Sequence, residues 1–114
     1  MPVQTLRVND IDLAYRIDGA AAGSPWLVFS HSLACAGAMW DEQWAILSAR
    51  YRVLRFDTRG HGASDAPPGG YTLTQMADDL HGLLASAGVE QPHFVGLSMG
   101  GMIGMTYALA HPGA

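Results

Sequence analysis

The segment Gly96-Leu97-Ser98-Met99-Gly100 constrains this chain more than any other. It joins an apolar run of strand character, His93 to Leu97, to a run of helical character, Met99 to Ala110. A sharp turn from strand to helix leaves the residue at its apex in the open, and flanking glycines let such a turn pass close to neighbouring backbone. A serine hydroxyl is a weak nucleophile, so it must be held where a base can reach it. At a helix start Ser98 also meets free backbone N–H groups, which favour developing negative charge. Gly100, Gly101 and Gly104 follow in the helix, each costing about 1 kcal/mol relative to alanine. Against a net stability of roughly 5 to 15 kcal/mol, that cost is tolerable where backbone must approach backbone.

The rest of the chain supplies a setting for such a turn. Leu6 and Val8, then Ile11, Leu13, Tyr15 and Ile17, alternate with polar residues across Asn9-Asp10, which predicts two short antiparallel strands at a tight turn. Trp26 to Phe29 is a continuous apolar run, the pattern of a strand covered on both faces. Trp40, Trp44 and Leu47 form one helical face before Val53 to Phe56 gives the next strand. Arg59 to Gly70 is loop-like. Thr72 with Gln75 makes a capping-box pair, Tyr71 with Met76 a hydrophobic staple, and Gly88 a stop, so a helix is expected between them. His93 to Leu97 reads as a third buried strand, and Pro112 ends the last helix. Alternating strands and helices with short links define an α/β fold with a parallel sheet, in which ligands bind beyond the carboxyl ends of the strands.

Length and composition exclude several classes. At 114 residues the chain allows one core, so residues 1–114 are read as a single domain. Only 14% of residues are charged and the net charge is −4, with no basic stripe for phosphates, so no nucleic-acid partner is expected. Cys35 is the sole cysteine and cannot make an internal disulfide. No segment approaches the roughly 18 unbroken apolar residues of a membrane span, and the N-terminus has no signal-like pattern, so the expected location is cytoplasmic, away from membranes. No His, Cys, Asp and Glu cluster has metal-ligand spacing, and neither metal nor cofactor is expected.

Three loops lie at the carboxyl edge, beginning at Ser30-His31, Asp57 and Ser98. The first could contribute a backbone N–H to an oxyanion hole, paired with that of the residue after the nucleophile, which makes Leu33 and Met99 the candidates. His31, Ser32 and Trp40 are candidates to line the pocket. No histidine makes a convincing base for Ser98. His111 lies about 18 Å along the helix and His93 about 16 Å down the strand. His81 falls inside the capped helix as a surface residue, and His31 and His61 read as turn residues.

Taken together, His31-Ser32-Leu33, Met39-Trp40-Asp41, Arg55 to Ser64, Tyr71-Thr72-Leu73 and Gly96 to Gly101 resemble the N-terminal half of the 3-oxoadipate enol-lactonase group of α/β-hydrolases. The resemblance runs from about Leu6 to Pro112. It implies Ser98 as nucleophile, Leu33 and Met99 as oxyanion donors, Gly96, Gly100 and Gly101 as structural residues of the elbow, and Asp57 to Ser64 as a structural loop. The resemblance implies a small-molecule ester or lactone substrate, and Ser32, where many α/β-hydrolases have glycine and the lactonase group often has serine, shifts that expectation towards a lactone. The triad Asp and His would follow later strands, so the chain is expected to be a truncated domain whose partner is the missing C-terminal half. The strand before Ser98 should then pair with the Trp26–Phe29 strand and leave its other edge open. A general esterase, a C–C bond hydrolase and a cofactor-free haloperoxidase-like enzyme would use the same half-site. A non-catalytic fragment or ligand-binding module is the reading from another class.

Overall fold

The structure, a computed structural model, describes residues 3–19 and 21–113. Strands β1 (Gln4–Val8) and β2 (Ile11–Gly19) form a hairpin, followed by β3 (Trp26–Ser30), helix α1 (Asp41–Leu47), β4 (Arg52–Phe56), α2 (Leu73–Ala87), β5 (His93–Gly96) and α3 (Met99–Ala110). The strands form one sheet in the order β1-β2-β4-β3-β5. β1 and β2 join antiparallel, whereas β4, β3 and β5 run parallel. Asn9 and Asp10 take φ of 49° and 65° at the hairpin turn, the left-handed pair that a tight two-residue connection requires.

Strand side chains alternate between two cores. Val28, Leu54 and Phe56 face one cluster with Leu80, Leu83, Leu84 and Ile103 of the helices. Leu27, Phe29 and Val53 face the other, with Trp40 and Trp44. The apolar runs of β3 and β4 are therefore buried on both faces, as their lack of alternation implies. The expected tryptophan helix is divided: Gly37–Trp40 is a 3-10 turn and α1 begins only at Asp41. Trp40 and Trp44 nevertheless share one face.

Helix α2 begins and ends where the sequence places it. The Thr72 hydroxyl accepts from the Gln75 N–H at 3.0 Å. Gly88 has φ of 74°, and the Gly88 and Val89 N–H groups donate to the Ala85 and Leu84 carbonyls, closing the end as a Schellman motif. Tyr71 and Met76 both pack in the first core.

The run ending at Leu97 pairs with β3 alone among the described residues and leaves its other edge open, as expected; the burial read from its apolar character does not hold, since Val95 is 36% and Leu97 50% accessible. Its apolar character matches a strand with two neighbours, and one side is open. Met102, Met105 and Leu109 on α3 are also exposed. No helix of the described residues is long and apolar enough to cross a membrane.

Candidate active site

Packing positions the site. β3 and β5 end side by side, with Ser30 paired to Gly96, and the Leu97 N–H reaches the Ser30 carbonyl at 3.3 Å. The chain then reverses into α3. A β-carbon on Gly96 would stand 2.5 Å from the Gly100 carbonyl carbon and the Gly101 nitrogen, and one on Gly100 would overlap the Ser30 carbonyl oxygen. Gly104 makes room for the Phe94 ring. Gly101 differs, because a β-carbon there would meet the Gly96 backbone only at 3.6 Å, an ordinary contact. The helix glycines are thus needed at two of three positions.

Ser98 at this turn has φ 54° and ψ −113°, a combination that side-chain-bearing residues avoid at a cost of about 1–3 kcal/mol. Its side chain is exposed and caps no helix N–H. The strain and exposure are those of an elbow presenting its hydroxyl outward, at the positive end of the α3 dipole. Met99 follows as the first helical residue, with its side chain buried and its N–H without an acceptor among the described residues.

The loop after β3 lies alongside, since the space a side chain on Gly100 would fill belongs to the Ser30 and His31 carbonyls. It folds as a turn in which the Cys35 N–H donates to the Ser32 carbonyl at 3.1 Å and Ala34 takes φ of 60°. The Leu33 side chain is 66% exposed, and the Leu33 N–H, like that of Met99, meets no acceptor among the described residues. Ser32 is half-buried, and its hydroxyl donates to Cys35 Sγ at 3.1 Å.

The remaining candidates occupy less direct places. His31 is wholly buried; its Nε2 accepts from the Thr58 N–H at 2.9 Å and its Nδ1 lies 2.8 Å from the Ser32 carbonyl. Burial pushes its pKa below the ordinary 6.5, assisted by His61 and opposed by the Ser32 carbonyl and Asp57. Trp40 stacks on Phe29 at 5.0 Å inside the second core. Two clefts, of about 140 and 410 Å³, lie elsewhere and include none of Ser98, Leu33, His31, Ser32 or Trp40.

The histidines are committed to other partners. Both ring nitrogens of His31 are engaged, and His61 accepts the Ala34 N–H at Nε2 (3.1 Å) while Nδ1 lies 3.1 Å from the Arg59 carbonyl. Neither ring has a free lone pair for Ser98. His81 is exposed and stacks on His111 at 3.8 Å, tying the middle of α2 to the end of α3.

The loop from Asp57 to Ser64 is braced throughout. Asp57 accepts the Gly37 N–H at 2.8 Å and the Ala63 N–H at 2.9 Å. The Ser64 hydroxyl donates to the Asp57 carbonyl at 2.6 Å and accepts the Ala14 N–H at 2.8 Å. Arg59 makes a bidentate, almost fully buried pair with Asp79 at 2.9 and 3.1 Å, and Asn9 donates to the same carboxylate. Asp79 raises the Arg59 pKa. Sequence reading passed over this pair, although a carboxylate between Met76 and Leu83 on the apolar face of α2 was a usable signal.

Comparison with known proteins agrees with this geometry. The family model described as alpha/beta hydrolase fold matches residues 25–114. 3-Oxoadipate enol-lactonase 2 of Acinetobacter baylyi is 40% identical over 116 residues, 98% of this chain and 43% of the lactonase. RutD of Yersinia enterocolitica, assigned as a carbamate hydrolase, is 46% identical over 87 residues, 75% of this chain and 31% of that protein. The crystal structure of the enol-lactonase from Burkholderia xenovorans LB400 superposes with a TM-score of 0.89 at 47% identity, covering 95% of this chain and 42% of that one. The chain thus spans less than half the length of these relatives. With its elbow, its parallel sheet and these matches, the chain belongs to the α/β-hydrolase fold family.

Proposed function

We propose that this chain supplies the nucleophile and the oxyanion hole of a serine-dependent hydrolase acting on a carboxylic ester or lactone. The observation that carries the reading is Ser98 itself, exposed in a strained elbow at a helix start, next to a Met99 N–H that no acceptor among the described residues uses. Ser98 Oγ attacks the carbonyl carbon and its proton passes to a base. The oxyanion accepts hydrogen bonds from the Leu33 and Met99 N–H groups, the ester C–O bond breaks, and the leaving oxygen takes the proton. Water then hydrolyses the acyl-enzyme and frees Ser98. No metal or cofactor takes part.

The base and the acid that orients it belong to polypeptide outside these 114 residues. Two features support this division: His31 and His61 are fully hydrogen-bonded, and the chain spans 43% of its lactonase relative. The exposed β5 edge is the seat of the next strand. Lactones are favoured because a lactonase relative aligns with 98% of the chain. The rival reading, a non-catalytic module, would leave Ser98 unreactive in every context.

Reaction with a fluorophosphonate probe tests the proposal. The full-length protein should label at Ser98 and turn over lactones or activated esters, and Ser98→Ala should abolish both. The 114-residue chain alone should label little. Turnover that survives Ser98→Ala would sink the nucleophile assignment, and rapid labelling of the isolated chain would sink the division of the machinery. Faster turnover of carbamates than of lactones would move the substrate class towards that of RutD.

A further inference from the structure

We infer that His31 and His61 are positioning residues: two neutral imidazoles that pin the peptide groups on either side of Leu33 and so aim its N–H at the oxyanion. The inference rests on the oxyanion role proposed for Leu33. The Ser32 carbonyl and the Leu33 N–H belong to one planar trans peptide and point in opposite directions. Whatever holds the carbonyl therefore sets the direction of the N–H. His31 Nδ1 lies 2.8 Å from that carbonyl oxygen. The next peptide joins the Leu33 carbonyl to the Ala34 N–H, which donates to His61 Nε2 at 3.1 Å.

Hydrogen-bond bookkeeping fixes the protons. His31 Nε2 accepts the Thr58 N–H at 2.9 Å and is therefore bare, so the ring hydrogen sits on Nδ1 and is donated to Ser32. His61 Nε2 accepts the Ala34 N–H, so its hydrogen also sits on Nδ1, where the Arg59 carbonyl and the Thr58 hydroxyl lie at 3.1 and 3.0 Å. The Thr58 hydroxyl is 3.3 Å from His31 Nε2 and links the two rings, whose centroids are 5.1 Å apart. Each ring spans the same gap, from the Ser32–Ala34 turn to the backbone at Thr58 and Arg59. That backbone is itself held by Asp57, by Ser64 and by the Arg59–Asp79 pair. The turn thus hangs from a rigid support by two neutral rings, and Leu33 is left between them with a free N–H. Donation into the Ser32 carbonyl also polarises its peptide and strengthens the Leu33 N–H as a donor.

Protonating His31 puts an N–H on Nε2, where an acceptor for the Thr58 N–H is needed. The charged and titratable groups bearing on His31 are Asp57, which favours its protonation, and His61, which opposes it. The clamp is therefore lost on acidification.

The test uses the full-length protein. Nitrogen-15 NMR of labelled histidines should place both rings in the neutral Nδ1–H form at pH 7.5. His61 is only partly buried, so the protein should tolerate its replacement. In His61→Gln an amide oxygen can accept the Ala34 N–H, whereas His61→Ala cannot. Misplacing one oxyanion donor should lower kcat of His61→Ala by about 10- to 100-fold with KM little changed. His61→Gln should recover most of that loss. An Nε2–H or charged form of either ring at pH 7.5, or equal kcat in the Ala and Gln variants, overturns the inference. A wild-type protein with neither turnover nor Ser98 labelling overturns instead the hydrolase reading on which it rests, while the ring protonation states still report whether the clamp exists.

Discussion

Ser98 and Asp79 are single residues that pull against stability in opposite ways. Ser98 holds a left-handed φ of 54° that glycine adopts without strain. Ser98→Ala keeps that strain and Ser98→Gly releases it. The glycine variant should thus be the more stable of the two by about 1 kcal/mol in urea unfolding, although both lose probe labelling. Equal stabilities would mean that the elbow is relaxed. Asp79 is buried against Arg59 and receives Asn9 as well. Its replacement by alanine leaves a buried guanidinium unpaired, and should cost about 3–5 kcal/mol while loosening the loop that carries Thr58. A loss within experimental error would contradict a structural role for the pair. His31 sets a pH dependence. Its folded-state pKa lies below the ordinary 6.5, so below pH 6.5 the unfolded chain binds more protons than the folded one. Stability should therefore fall as pH drops through 6.5 and level out beneath the folded-state value. Urea midpoints measured from pH 7.5 to 5 should decline less in His31→Gln than in the wild type, and parallel declines would refute the assignment.

At the scale of elements, legibility followed the range of the interactions involved. Helix α2 could be read end to end because its signals are local: Thr72 caps a backbone group three residues on, and Gly88 adopts the φ its position needs. The Asn9-Asp10 turn and the two-faced burial of β3 were legible for similar reasons, since dihedral preference and periodicity lie within a few residues. The bridges made by His31 and His61 were not, because a ring that joins two loops 27 residues apart leaves no periodic trace. Both rings were read as turn residues. The open edge of β5 was legible only through the resemblance, and its own residues misled for the opposite reason: its sequence is that of a buried central strand, and burial depends on a neighbour that its own residues cannot supply. Helix α3 divides the same way. Its glycines were read as a group, but only Gly100 and Gly104 face atoms that would block a side chain, whereas Gly101 has room. Gly101→Ala should accordingly stabilise the protein by up to about 1 kcal/mol through helix propensity. Gly100→Ala should disrupt it, because its β-carbon would overlap the Ser30 carbonyl oxygen beside the elbow. Thermal unfolding of the two variants separates the cases, and similar effects would show that the close approach behind the elbow is not tight.

The whole molecule is asymmetric. One edge of the sheet is the antiparallel β1, while the other is a parallel, apolar β5 next to a helix with Met102, Met105 and Leu109 in the open. A strand edge with unpaired N–H and carbonyl groups recruits other strands, and an adjoining apolar helix face adds area that water disfavours. Both features begin beside Ser98, at the end of β5 and the start of α3, so the surface that needs covering adjoins the surface where chemistry is proposed. Completing the sheet beyond β5 would bury that edge and wall the site in a single step. This dependence yields a prediction at the scale of the molecule. The 114-residue chain on its own should self-associate in the micromolar range, where unpaired edges and apolar faces make folded fragments sticky. Met105→Lys and Leu109→Lys together should weaken that association without altering the far-ultraviolet circular dichroism, since both side chains are exposed and outside the core. Sedimentation velocity over a concentration series would decide the matter, and a chain that remained monomeric throughout would show that the β5 edge and the α3 face are compatible with water as they stand.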